Sequence, residues 1–219
     1  MSIVFFDVII KVAQVAIIVP LIVACWRFKY LSRTLRLLSG LLVISALISI
    51  VARYLWSIKE NNLYLLHYYT VIEFCGWAVI FYLLFESKFM KRIVFWIGIV
   101  FVLFAIVNSI FWEGLETFNT NSRSVESILL SFFSIAYYVK IFKEKRVYRL
   151  ECSASFWINA AVLIYFSSAF LLFGFSNLLL NLSSYKIREV WGIHGIFLIV
   201  HYVLITVGIW IASNQKISH

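Results

Sequence analysis

Residues 93–112 read IVFWIGIVFVLFAIVNSIFW, twenty residues with no charge among them. At ~1.5 Å of rise per residue such a run is ~30 Å long, the thickness of a bilayer's hydrocarbon core. A helix that is apolar all round has to be buried on every side, and lipid does that at once. The same ruler laid along the chain finds six more segments, at roughly 3–26, 37–58, 63–85, 123–142, 154–179 and 189–212. The predicted fold is therefore an all-α membrane protein: one bundle of seven transmembrane helices, residues 1–219 forming a single domain.

Composition leads to the same place. Of the 219 residues, 63% are hydrophobic and 13% charged, whereas a soluble domain is about 45–50% apolar and about 25% charged. No polar stretch is long enough for a second domain, and no ten-residue alternation points to a β-barrel. The first segment lacks a basic region before its apolar run and a small-residue cleavage site, so it is expected to be a retained helix and not a removed signal peptide. Cys25, Cys75 and Cys152 are scattered and odd in number, which predicts free thiols.

Net charge is +9, yet the basic residues form no single patch for nucleic acid. They fall in alternate loops: Arg27, Lys29, Arg33 and Arg36, then Lys88, Lys91 and Arg92, then Lys140, Lys143, Lys145, Arg146 and Arg149, with Lys216 in the tail. The other side holds Lys11, Arg53, Lys59, Arg123, Lys186 and Arg188. The positive-inside rule makes the first set cytoplasmic, so the N-terminus is expected outside and the C-terminus in the cytoplasm. Tryptophan agrees: Trp26, Trp96, Trp157 and Trp210 fall near predicted inner helix ends, Trp56, Trp112 and Trp191 near outer ones, and only Trp77 lies deep.

Ionisable groups in hydrocarbon are costly and need a reason. Asp7, Lys11 and Gln14 share one face of the first helix, where Asp7 and Lys11 are expected to neutralise each other. Arg53 sits about a turn below its outer boundary, within snorkelling reach. Arg123 and Glu126 are three apart and read as a self-paired unit, with Glu126 also at a height to meet Arg53. Glu73 is ~15 Å deep, with Tyr69 and Thr70 one turn earlier as donors. His194 and His201 lie two turns apart on one face of the seventh helix, His201 near Glu73's depth. Gly192 and Gly195 leave room for a neighbouring helix.

These residues define a predicted ligand- or proton-binding site of Glu73, His201, His194, His67, Arg53 and Glu126. Arg53, His67, Glu126 and His194 are expected to line an outward-facing polar pocket, with Glu73 and His201 as its floor. No catalytic residues, cofactor or metal are expected. The seventh segment has no lysine for a retinal Schiff base, and there is no HExxH-type zinc motif. A metal assembled from His67, His194 and Glu73 stays open as a weak alternative, while a haem between His67 and His194 would need a histidine pattern that is not there. Pro20 is the only proline and glycines number eight, few for the broken helices of many transporters.

Tyr69-Thr70-Val71-Ile72-Glu73-Phe74, Glu126, Phe156-Trp157-Ile158-Asn159, Leu163-Ile164-Tyr165-Phe166-Ser167-Ser168 and Trp191-Gly192-Ile193-His194 together resemble an uncharacterised family of bacterial seven-helix integral membrane proteins associated with histidine-kinase signalling. The resemblance covers the third to seventh segments and implies a bacterial cytoplasmic membrane, but no residue roles. The chain has no kinase, receiver or output domain, so signalling is expected to run through a separate cytoplasmic partner. The functional expectation is a sensory or signal-relaying module for a small ligand or a proton. A small-solute or proton-coupled transporter or channel is the alternative, and a metal or haem enzyme stands further off. A water path below Glu73 would favour transport; a closed floor would favour sensing.

Orientation is directly testable. Single cysteines near Asn61, Thr120 and Ser184 should label from outside, and those near Ser32, Ser87 and Lys145 from inside; the opposite pattern would refute the orientation.

Overall fold

In a computed structural model, residues 3–144, 149–175 and 183–217 are described. Lys145 and Arg146 lie outside them, as does the predicted 176–179 end of the sixth segment. The helices are α1 (Ile3–Val15), α2 (Ile18–Arg27), α3 (Arg33–Ser57), α4 (Leu63–Leu84), α5 (Lys88–Phe111), α6 (Thr120–Glu144), α7 (Ala154–Gly174) and α8 (Ser184–Ile217). Short 3₁₀ turns at Phe28–Tyr30 and Leu150–Cys152 join two of them. Among the described residues, seven spans are long and apolar enough to cross a membrane, α1 and α2 together making the first. Below, "upper" denotes the end at which α1 begins.

The first span is broken by its proline. Pro20 has no N–H to give the Ala16 carbonyl, which instead takes a tighter bond from the Val19 N–H at 3.2 Å. Elsewhere α3, α5, α6 and α8 outrun the predicted apolar segments at their polar ends. α3 starts at Arg33 because the Ser32 hydroxyl accepts from the Leu35 N–H at 3.4 Å. Hydropathy marks where lipid ends; hydrogen bonding decides where the helix does.

The principal helix contacts close a ring, in the order α1/α2, α3, α4, α6, α7, α8 and back to α1 and α2, with α5 packed on α4 and α6. Glycines permit a close seam between α1 and α8. A Cβ on Gly192 would lie 2.3 Å from Phe6 Cδ1, and one on Gly195 3.2 Å from Ile9 Cγ2, so the close approach expected at these two positions is present. The outward faces are apolar: Val8, Ile22, Leu47, Ile50, Val100 and Leu103 are each more than half exposed. A patch of that extent on a monomer's surface implies a non-aqueous neighbour, here the bilayer. The ring's inner positions carry the buried polar groups.

Candidate functional site: a buried ion triad

The site depends on how deep α6 starts. Asn119, just before it, donates from Nδ2 to the Leu66 carbonyl at 3.0 Å and to Thr70 Oγ1 at 2.6 Å. Its own carbonyl accepts from the Arg123 N–H at 3.0 Å. α6 therefore begins level with Thr70, two turns into α4, and not at the top of the bundle. The connection above it is tied down by Glu113, which accepts from Asn108 Nδ2 at 2.8 Å and from the Asn121 N–H at 3.0 Å. Asn108 Nδ2 also reaches Ser122 Oγ at 3.1 Å.

One turn into α6, Arg123 then stands level with Glu73. Its Nη1 donates to Glu73 Oε2 and to Glu126 Oε2, the latter at 2.7 Å, and its Nη2 donates to the Tyr165 hydroxyl at 2.8 Å. Glu73 Oε1 accepts from the Tyr69 hydroxyl at 2.8 Å, which also lies 3.1 Å from Ser45 Oγ. Arg123, Glu73 and Glu126 are 7%, 6% and 0% exposed. One guanidinium thus joins α4, α6 and α7, and Tyr69 carries the network to α3. Glu126 Oε1 has no hydrogen-bond partner.

Tyr165 brings in the two histidines of α8. Its ring centroid lies 4.8 Å from His201 and 5.4 Å from His194. His201 Nδ1 is 2.9 Å from the Ala161 carbonyl, an acceptor only, so the ring is held with its proton on Nδ1. No hydrogen bond joins His201 to Glu73. His194 packs among Tyr165, Phe173 and Trp191, its Nδ1 without a partner.

Four predicted site residues therefore cluster around Arg123 and Tyr165: Glu73, Glu126, His194 and His201. The other two stand apart. Arg53 is exposed and donates to Gln14 Oε1, because its face of α3 turns toward the first span. His67 holds the upper connection, with Nε2 3.0 Å from the Thr117 carbonyl and Nδ1 2.9 Å from Ser109 Oγ. Asp7 pairs with Arg188 of α8 at 3.2 Å in place of Lys11. Thr70 bonds Asn119 and leaves Glu73 to Tyr69. Among the described residues, no three His, Cys, Asp or Glu side chains are grouped to hold a metal.

None of the six predicted residues lines either of two cavities. An upper groove of about 470 Å³ runs between α5, α6 and α7, past Asn108, Glu113, Asn121, Ser124 and Phe173. A lower one of about 520 Å³ is lined by Leu35, Leu38, Ile80, Ile158 and Arg149, among others. Beside it, a hydrogen bond of 2.9 Å from Arg149 holds the Glu151 carboxyl below its usual range.

Below the triad the interior is aromatic. Phe74 lies 6.5 Å from Phe133, Phe133 5.7 Å from Phe81, Phe81 6.2 Å from Phe85, and Phe85 6.0 Å from Tyr137 between ring centroids. Lys140 Nζ sits 5.7 Å over the Tyr137 ring and donates to the Leu84 carbonyl at 2.9 Å, with Glu86 3.4 Å away. α4 and α6 are thus fastened by ions near the middle and by Lys140 at the lower end, with a stack of rings between.

No protein-family model, curated protein or solved structure matches this chain.

Removing Arg123 would leave two carboxyls facing each other without a cation. Arg123→Leu should destabilise the protein by roughly 3–5 kcal/mol, and Glu73→Gln, which keeps shape and hydrogen bonding, by about 1–3 kcal/mol. Detergent unfolding curves check this; a larger loss for Glu73→Gln would contradict it.

Proposed function

We propose that the chain is a sensory or signal-relaying membrane module whose switch is the Glu73–Arg123–Glu126 triad. The observation that carries the reading is the run of ring contacts that leads from Phe74, next to Glu73 in α4, to the Lys140 clamp. Packed rings of this kind transmit a helix displacement because a close-packed interior has discrete arrangements and does not yield gradually.

The input surface of this module is the upper groove. Its α6 lining residues, Thr120, Asn121, Ser124 and Val125, interleave along the helix with Arg123 and Glu126. A small ligand wedged between α5, α6 and α7 there displaces the segment of α6 that carries the guanidinium. The output is the basic lower end, which faces the cytoplasm in the predicted orientation and offers Arg and Lys side chains to a separate signalling partner or to anionic lipid. The resemblance to bacterial seven-helix proteins linked with histidine kinases accords with this. A proton-coupled transporter would draw on the same carboxyls, but it needs a water path below Glu73, where Phe74, Phe133, Phe81 and Phe85 are at most 2% exposed.

A double-mutant cycle of Glu73→Gln with Lys140→Met tests the relay. Their helix contacts lie ~25 Å apart along α6, counting seventeen residues from Arg123 to Lys140 at ~1.5 Å each. Independent sites add within ~0.5 kcal/mol; a relay should give a coupling of roughly 0.5–2 kcal/mol. Additivity would sink the relay. Proton flux into vesicles carrying the protein and a trapped pH dye, above that of protein-free vesicles, would replace it with transport.

A further inference from the structure

We propose that the triad is a proton-binding site, and that at neutral pH it holds one proton between Glu126 and Glu73. The inference rests on the relay reading for its consequence but not for its chemistry. It begins with a charge count. Two carboxyls share one guanidinium in a region sealed from water, so both ionised would leave a net negative charge. An uncompensated charge in so poor a solvent costs far more than a neutral polar group, and taking up one proton removes it.

The donors leave either carboxyl able to take that proton. Glu73 Oε2 accepts from Arg123 Nη1, and Oε1 meets the Tyr69 hydroxyl. That hydroxyl has one proton to give, to Glu73 or to Ser45 Oγ, because Ser45 donates its own to the Leu41 carbonyl. Glu126 receives a donor on Oε2, and its buried Oε1 has no hydrogen-bond partner. A proton on Glu126 Oε1 opposes no donor but finds no acceptor; one on Glu73 Oε1 is given to Tyr69, whose own proton then turns to Ser45.

The surroundings supply no other compensation. Facing Glu126 are Arg123 on its own helix and Glu73 on α4, with Cys75 of α4 within electrostatic reach. Tyr165 of α7 and His194 of α8 stand one step away, around Arg123. The upper half of α5 presents no titratable group. A metal ion would need several converging oxygens, and Glu126 Oε1 is the only unengaged buried side-chain oxygen among the described residues. Loss of this proton adds a negative charge beside Arg123 and redistributes its hold between α4 and α6, which is how the site would drive the relay.

Infrared spectroscopy of the protein in lipid nanodiscs reads the proton directly, through the C=O stretch of a protonated carboxylic acid. Wild type at pH 7 should show this band, and Glu126→Gln, which mimics the protonated form and should fold, should lose it. Tyr69→Phe removes a hydrogen bond from Glu73 and none from Glu126. A band absent from wild type, or surviving in Glu126→Gln, would overturn the proposal; with the proposal standing, a band that shifts in Tyr69→Phe places the proton on Glu73, and one that keeps its frequency places it on Glu126. If Glu126→Gln fails to fold, the wild-type and Tyr69→Phe spectra still decide. The expected bands together with additive Glu73 and Lys140 variants would remove the relay and leave the proton site standing.

Discussion

A guanidinium inside a bilayer cannot stay unpaired, and that requirement at Arg123 organises the upper half of this protein. Arg123 draws Glu73 from α4, keeps Glu126 on its own helix and takes the Tyr165 hydroxyl from α7. Each partner is then held in turn: Glu73 by Tyr69, and Tyr165 by the two α8 histidines packed on its ring. Buried ion clusters are weak evidence for stability, since the desolvation they incur is large. What they do well is fix which helix faces which. Here the triad specifies that α6 lies beside α4, although α5 intervenes in the chain.

Much of the fold was legible because hydropathy is a one-dimensional property. The seven spans follow from residue order alone. Pairs within one helix were legible too, since i, i+3 and i, i+4 spacings guarantee proximity. Tyr69–Glu73 and Arg123–Glu126 both meet as expected. What did not follow was the union of those two pairs. Arg123 is near the start of its own helix, and depth counted from that start places it close to the surface. α6 begins two turns low, because Asn119 bonds Leu66 and Thr70, and that is a tertiary fact. A signal was nonetheless present: a deep acid without a cation on α4, and a cation beside a second acid on α6.

Arg53 and His67 illustrate the complementary failure. Depth groups them with Glu126 and His194, but depth says nothing of the direction in which a side chain leaves its helix. Arg53 faces Gln14 at the periphery and His67 faces the 112–119 connection. Tyr165 escaped notice for another reason. It sits in a run that reads as apolar, Leu163 to Phe166, and only its hydroxyl contact with Arg123 reveals a polar role. A groove lies along α6, to one side of the polar cluster, and none of the six expected residues lines it.

The central claim is that the triad's hold on α4 and α6 is felt at the lower end of the bundle. Amide hydrogen exchange in lipid nanodiscs, compared between wild type and Arg123→Gln, measures this most directly, since local opening is reported segment by segment. The account predicts faster exchange both around Thr70–Phe74 and Asn119–Ser127, where the triad sits, and around Leu84–Ser87, where Lys140 clamps α4. Faster exchange confined to the triad's own neighbourhood, with Leu84–Ser87 unchanged, would contradict it.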